Sequence, residues 1–132
     1  IGIVVSQADM NSPATWLELA ESKLEKSRRI FDIGLYDDAV SRAYYAMFYA
    51  AKAALLSEGV ELRRHSSAVT KFRELFVITG RVDAEYLRYL GRAQSARERS
   101  DYAPFAPLDK DGASEILDVA ESFIQKVKEL LK

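Results

Sequence analysis

The chain has 132 residues, 48% of them apolar and 30% charged, with a formal net charge of −1 and no cysteine. That length suits one domain with its own core, the lack of cysteine excludes disulfides and thiolate metal sites, and the near-zero charge excludes a surface that is basic all over. No apolar run approaches the roughly 20 residues that span a bilayer, so a cytoplasmic location without membrane attachment is expected.

The opening IGIVV is too short for the apolar stretch of a secretory signal and lacks a basic flank. Residues 1–11 are read as a flexible or appended N-terminal segment, and residues 12–132 as one helical domain. Ser12-Pro13 reads as an N-cap followed by proline in the first turn. Trp16, Leu19, Ala20, Leu24, Ile30 and Phe31 follow at helical spacing until Gly34 stops the helix. A second helix starts near Tyr36-Asp37-Asp38, where two acids suit the positive helix end, and Gly59 closes it. Ser66 or Ser67 is placed to cap a third helix carrying Val69, Phe72, Leu75 and Phe76, which Gly80 ends. The fourth helix is predicted over 83–100, with Tyr86, Leu87, Leu90, Ala93 and Ala96 near one side. Pro104 and Pro107 break the chain, and the last helix covers about 109–131 with Ile116, Val119, Ala120, Phe123 and Val127 in period. There is no strand alternation and no internal repeat. The fold class read from this pattern is all-α, an up-and-down bundle of about five helices with a four-helix core.

The charge is unevenly spread. Residues 61–101 hold nine Lys and Arg against six Asp and Glu, and eight of the nine are arginine, the side chain suited to gripping phosphate in a fork. This stretch reads either as a solvated helical face or as a local anion site.

The second helix contains SRAYYAMFYAAKAALL, residues 41–56. Positions three, four and seven apart share a helical face. Ala39, Ala43, Ala46, Ala50 and Ala54 therefore form a small-residue stripe that lets another helix approach closely. Arg42, Tyr45, Tyr49 and Lys52 form a second stripe, aromatic in body and polar at its tips. That stripe reads as rim packing, or as the lining of a polar groove or subunit interface.

This stretch, His65 followed by the Phe72…Phe76…Gly80 spacing, and the segment Arg97-Glu98-Arg99-Ser100-Asp101-Tyr102 together resemble HEPN domains of the small single-domain prokaryotic branch, over about residues 14–128. The resemblance implies a helical bundle that forms a homodimer. It implies a toxin–antitoxin-like role beside a minimal nucleotidyltransferase protein as partner, with RNA or a nucleotide as ligand. Active members are metal-independent ribonucleases whose motif is arginine, four to six residues, then histidine, with two copies meeting across the dimer. Arginine there stabilises phosphate charge and histidine moves a proton.

Carried onto this sequence, Arg97 matches the motif arginine. Tyr102 stands where a four-residue spacer would place the histidine, and no histidine follows residue 65. Tyrosine, with an ordinary pKa of about 10, is a poor general base at neutral pH, so the catalytic motif is degenerate. Arg97 and Asp101, four apart, share a face: either Asp101 pairs with Arg97 or Arg42 and anchors the helix end while Tyr102 packs on the bundle, or Arg97, Asp101 and Tyr102 line a phosphate groove. Arg97, Asp101 and Tyr102 are the motif positions, and Arg42, Tyr45, Tyr49 and His65 the candidate binding residues. A lone histidine reads first as a structural hydrogen-bonding residue. No metal is expected, because nothing accompanies His65 at ligand spacing, and no cofactor is expected. Three functional readings stay open: a non-cleaving binding module, a ribonuclease toxin using Arg97, and an oligomeric scaffold.

Overall fold

Pro13 and Gly34 bracket the first helix. The computed structural model describes residues 12–62, 67–101 and 108–132, and α1 spans Pro13–Asp32. Ser12 sits at its N-cap, but its side chain makes no capping bond; its carbonyl accepts from the Trp16 amide at 3.3 Å instead. Gly34 then takes φ +85°, a backbone region costly for residues with a Cβ, and the chain reverses. Helix α2 spans Tyr36–Ser57 and carries Asp37 and Asp38 in its first turn. It ends as the Gly59 amide donates to the Leu56 carbonyl and the Val60 amide to that of Leu55, each at 3.0 Å.

The third helix departs from a simple reading. Helix α3 covers only Ser67–Phe72 and continues as a π-helical turn over Arg73–Val77. Phe72 and Phe76 are both fully buried here and pack on each other at a tilt, with ring centroids 5.0 Å apart. Helix α4 spans Ala84–Ser100, capped by the Asp83 side chain, which accepts from the Glu85 amide. Helix α5 spans Lys110–Leu130, capped by Asp109 accepting from the Gly112 amide. No strand occurs among the described residues, and the fold is an all-α bundle.

Side-chain pairs fix the directions. Trp16 meets Tyr49, and Ser27 meets Ala39, so α1 and α2 are antiparallel. Arg97 reaches Tyr45 while Arg81 reaches Glu58, so α4 is also antiparallel to α2. Arg28 pairs with Glu121 and Lys128 with Glu21, so α5 runs against α1. Consequently α2 and α5 are parallel and lie across the core from each other. They still pack closely, and the stripe of Ala39, Ala43, Ala46, Ala50 and Ala54 on α2 presents nothing longer than a methyl and is fully buried. Helix α2 touches every other helix of the bundle.

The core includes Met47, Leu55, Phe72, Phe76, Leu90, Leu117, Phe123 and Val127, each at most 1% exposed. Among the described residues, the buried polar side chain in this core is that of Ser27. Ser27 lies in the α1–α2 seam and donates to the Ala39 carbonyl at 2.6 Å, which removes the cost of burying its hydroxyl.

Candidate functional site

Arg97 emerges from the last turn of α4 onto the aromatic side of α2. Its guanidinium donates to the Tyr45 hydroxyl at 3.2 Å and lies 5.9 Å from the Tyr44 ring centre and 5.5 Å from that of Tyr45. Its Nε is buried without a hydrogen-bond partner among the described residues. An unpaired buried donor costs on the order of 1–3 kcal/mol, and two cation–π contacts, each about 0.5–2 kcal/mol, offset part of that. The Arg97 side chain keeps a third of its surface exposed.

Asp101 is only loosely engaged. Its carboxylate is 4.0 Å from Arg97 and more than half exposed, a pairing worth no more than about 1 kcal/mol. Asp101 also sits at the C-cap of α4, the negative end of the helix, which disfavours a carboxylate. The guanidinium is therefore held chiefly by tyrosines and keeps its charge available. Burial raises the pKa of the Tyr44 hydroxyl; the Arg97 charge opposes that shift and Tyr45 and Glu98 add to it.

On its other side, Tyr45 lines a groove of about 620 Å³ between α1 and α2. Helix α1 contributes Lys23 and Ile30, and Leu35 closes one end. Helix α2 contributes Asp38, Ser41, Arg42, Tyr45 and Tyr49, one continuous face at spacings of three and four. Neither Lys23 nor Arg42 makes an ion pair among the described residues. The aromatic wall extends beyond the groove: Tyr49 packs on Trp16 at 5.5 Å, and the Lys52 ammonium lies 3.9 Å over the Trp16 ring.

A second groove, about 530 Å³, runs between α4 and α5 past Arg92, Ser95, Arg99 and Glu115. There Arg92 is neutralised by a short hydrogen-bonded ion pair with Glu115, and among the described residues the lining holds no aromatic ring. Charge and stacking surface coincide on the α1–α2 side.

The structure thus brings Arg97, Asp101, Tyr45, Tyr49 and Arg42 to one side of the bundle. Arg42 pairs with neither Asp101 nor any other carboxylate among the described residues. His65 and Tyr102 lie outside the described residues. Lys23, Asp38 and Ser41 are additions that the tyrosine stripe did not reveal. Asp38 and Ser41 continue that stripe toward the helix start by the same spacing rule, whereas Lys23 comes from another helix. No group of three or more His, Cys, Asp or Glu residues that could hold a metal ion occurs among the described residues, and no helix described is long and apolar enough to cross a membrane.

The HEPN domain family model matches residues 14–130. A protein of Methanocaldococcus jannaschii named "Putative toxin MJ0142" is 35% identical over 115 residues, covering 87% of this chain and 78% of the relative. A second from that organism, named "Putative toxin MJ0605", is 34% identical over 116 residues, covering 88% and 86%. A "UPF0332 protein" of Archaeoglobus fulgidus is 39% identical over 109 residues, covering 83% and 86%.

Proposed function

The chain belongs to the HEPN domain family, and from that premise we propose that it is a non-cleaving, toxin-like HEPN protein that binds RNA or nucleotide phosphate through Arg97. It acts as a homodimer in the cytoplasm, paired with a minimal nucleotidyltransferase protein. The names of its relatives support the toxin-like role. The single observation that carries the phosphate reading is the setting of Arg97: it is held by Tyr44 and Tyr45, its nearest carboxylate is 4.0 Å away, and its Nε is unpartnered among the described residues. A cation so placed meets an incoming phosphate without first breaking a strong ion pair. Arg97, Asp101 and Tyr102 occupy the motif positions, and the lone histidine precedes Arg97 by 32 residues. The family's proton-transfer group is therefore missing after the arginine.

The test is RNA cleavage by the purified protein in EDTA, run beside Arg97→Ala and Tyr102→Phe, with light scattering on the same sample. A dimer that binds RNA and does not cut it is the expected result. Cleavage that disappears in Arg97→Ala would make the protein a metal-independent ribonuclease instead, and a monomer at high concentration would remove the dimeric module.

A further inference from the structure

We propose that the α1–α2 groove seats a two-nucleotide step of single-stranded RNA, with its phosphodiester between Lys23 and Arg42 and its two bases on either side. The proposal rests on the phosphate reading of Arg97 and extends it to surfaces which that reading does not use. The chemistry is ordered along the groove. Asp38 to Tyr49 spans eleven residues of α2, about 16 Å at 1.5 Å per residue. Arg42 falls between them. Helix α1 runs antiparallel, and Lys23 lies between the contact of Trp16 with Tyr49 and that of Ser27 with Ala39, which places it opposite the middle of the same stretch.

Both cations are free of ion pairs among the described residues. With Asp38 counted, the lining carries a single net positive charge, matching one phosphodiester. Toward one end the wall is aromatic, Tyr45 and Tyr49, a stacking surface for a base. Toward the other end Ile30 and Leu35 make an apolar shelf, with the Asp38 carboxylate and Ser41 hydroxyl beside it to accept from base N–H groups. A volume of about 620 Å³ lies within the roughly 300–1,000 Å³ of small-ligand clefts. Tyr45 walls the groove and also accepts from Arg97, so that guanidinium lies against the same aromatic wall.

Such a site distinguishes single strands from duplexes. In a duplex the base faces are already stacked, and recognition falls to backbone and shape.

The experiment is fluorescence anisotropy with a fluorescein-labelled single-stranded RNA hexamer and with the same sequence as a duplex, at fixed low salt and then across a salt series. The proteins are the wild type, Lys23→Ala, Arg42→Ala, Tyr49→Leu and Arg97→Ala, with Arg88→Ala as an exposed cation outside the groove. The expected result is tighter binding of the single strand. Tyr49→Leu should weaken it about five-fold or more, the low end for a base stacked on an aromatic ring. Lys23→Ala and Arg42→Ala should each lower the salt slope by roughly 0.7, as one lost phosphate contact does on single strands. If Lys23→Ala and Arg42→Ala bind like Arg88→Ala while Arg97→Ala fails, the groove is wrong and the Arg97 reading stands. If the wild type binds no hexamer, both fall. Equal affinity for the duplex would overturn the stacking arrangement. Lys23, Arg42 and Arg88 lie at the surface, so their variants remain informative even if Tyr49→Leu loosens the contact with Trp16.

Discussion

On one side of α2 stand Ala39, Ala43, Ala46, Ala50 and Ala54, all with no exposed surface. On the other stand Arg42, exposed, and Tyr45, Tyr49 and Lys52, half-buried. The two stripes belong to one helix and obey the same spacing rule, yet they are held differently. The alanine side is fixed by shape alone: its side chains have no polar atom to satisfy, and their small size lets neighbouring helices come close. The tyrosine side is held by a mixed set of ring contacts and the long hydrogen bond from Arg97 to Tyr45, and it ends in two cations with no carboxylate partner among the described residues. In this helix, close packing marks the stripe that determines the fold, and unspent charge beside aromatic surface marks the stripe on which the proposed ligand groove is built.

The sharpest way to break that contrast is to alter the packed side. Met47, fully buried beside the alanine stripe, is expected to cost about 2–5 kcal/mol when replaced by alanine. Ala46→Leu should cost about 1–3 kcal/mol, because the filled space around this fully buried methyl would have to accept three more carbons. Urea unfolding at constant slope checks both; a loss below about 0.5 kcal/mol for Ala46→Leu would mean that the alanine stripe is not closely packed. On the open side, Arg42→Ala should shift stability by less than about 0.5 kcal/mol in the same measurement, since Arg42 makes no ion pair among the described residues.

The smallest expected effect lies at the boundary between the two stripes. Burial raises the folded pKa of Tyr44 above its unfolded value. Its contribution is therefore fully present below a pH of about 10 and is lost as pH rises through the folded pKa, because the unfolded chain sheds the proton first. The unfolding midpoint should fall more steeply with pH above about 10 in the wild type than in Tyr44→Phe. Parallel curves would show that the hydroxyl is not desolvated.

The helices are legible from punctuation and period. Pro13, Gly34, Gly59 and Gly80 mark boundaries that no other residue type marks as plainly, and the alanine and tyrosine stripes follow from residue spacing alone. What spacing does not contain is anything that depends on two helices at once. Lys23 faces the tyrosine groove only because α1 packs antiparallel with Trp16 against Tyr49. The bond from Arg97 to Tyr45 spans 52 residues of sequence. Periodicity within one helix states which residues share a face, but not which face of a neighbour they meet. The π-helical turn after Phe72 is equally hidden, since RELFV contains neither glycine nor proline to signal a change of pitch. Reading Ser12 as a side-chain cap relies on residue type alone, and the structure uses its carbonyl instead.

Because α2 contacts every other helix, no part of the bundle can open widely without uncovering it. Its central amides, around Ala46 to Ala50, are then the ones that exchange with solvent only through global unfolding, while the ends of α4 and α5 exchange through local fraying. The groove residues on the same helix inherit that rigidity. Their backbone is anchored in the slowest-opening segment of the molecule, so a ligand seated there meets side chains whose spacing is already set and loses little entropy ordering the protein.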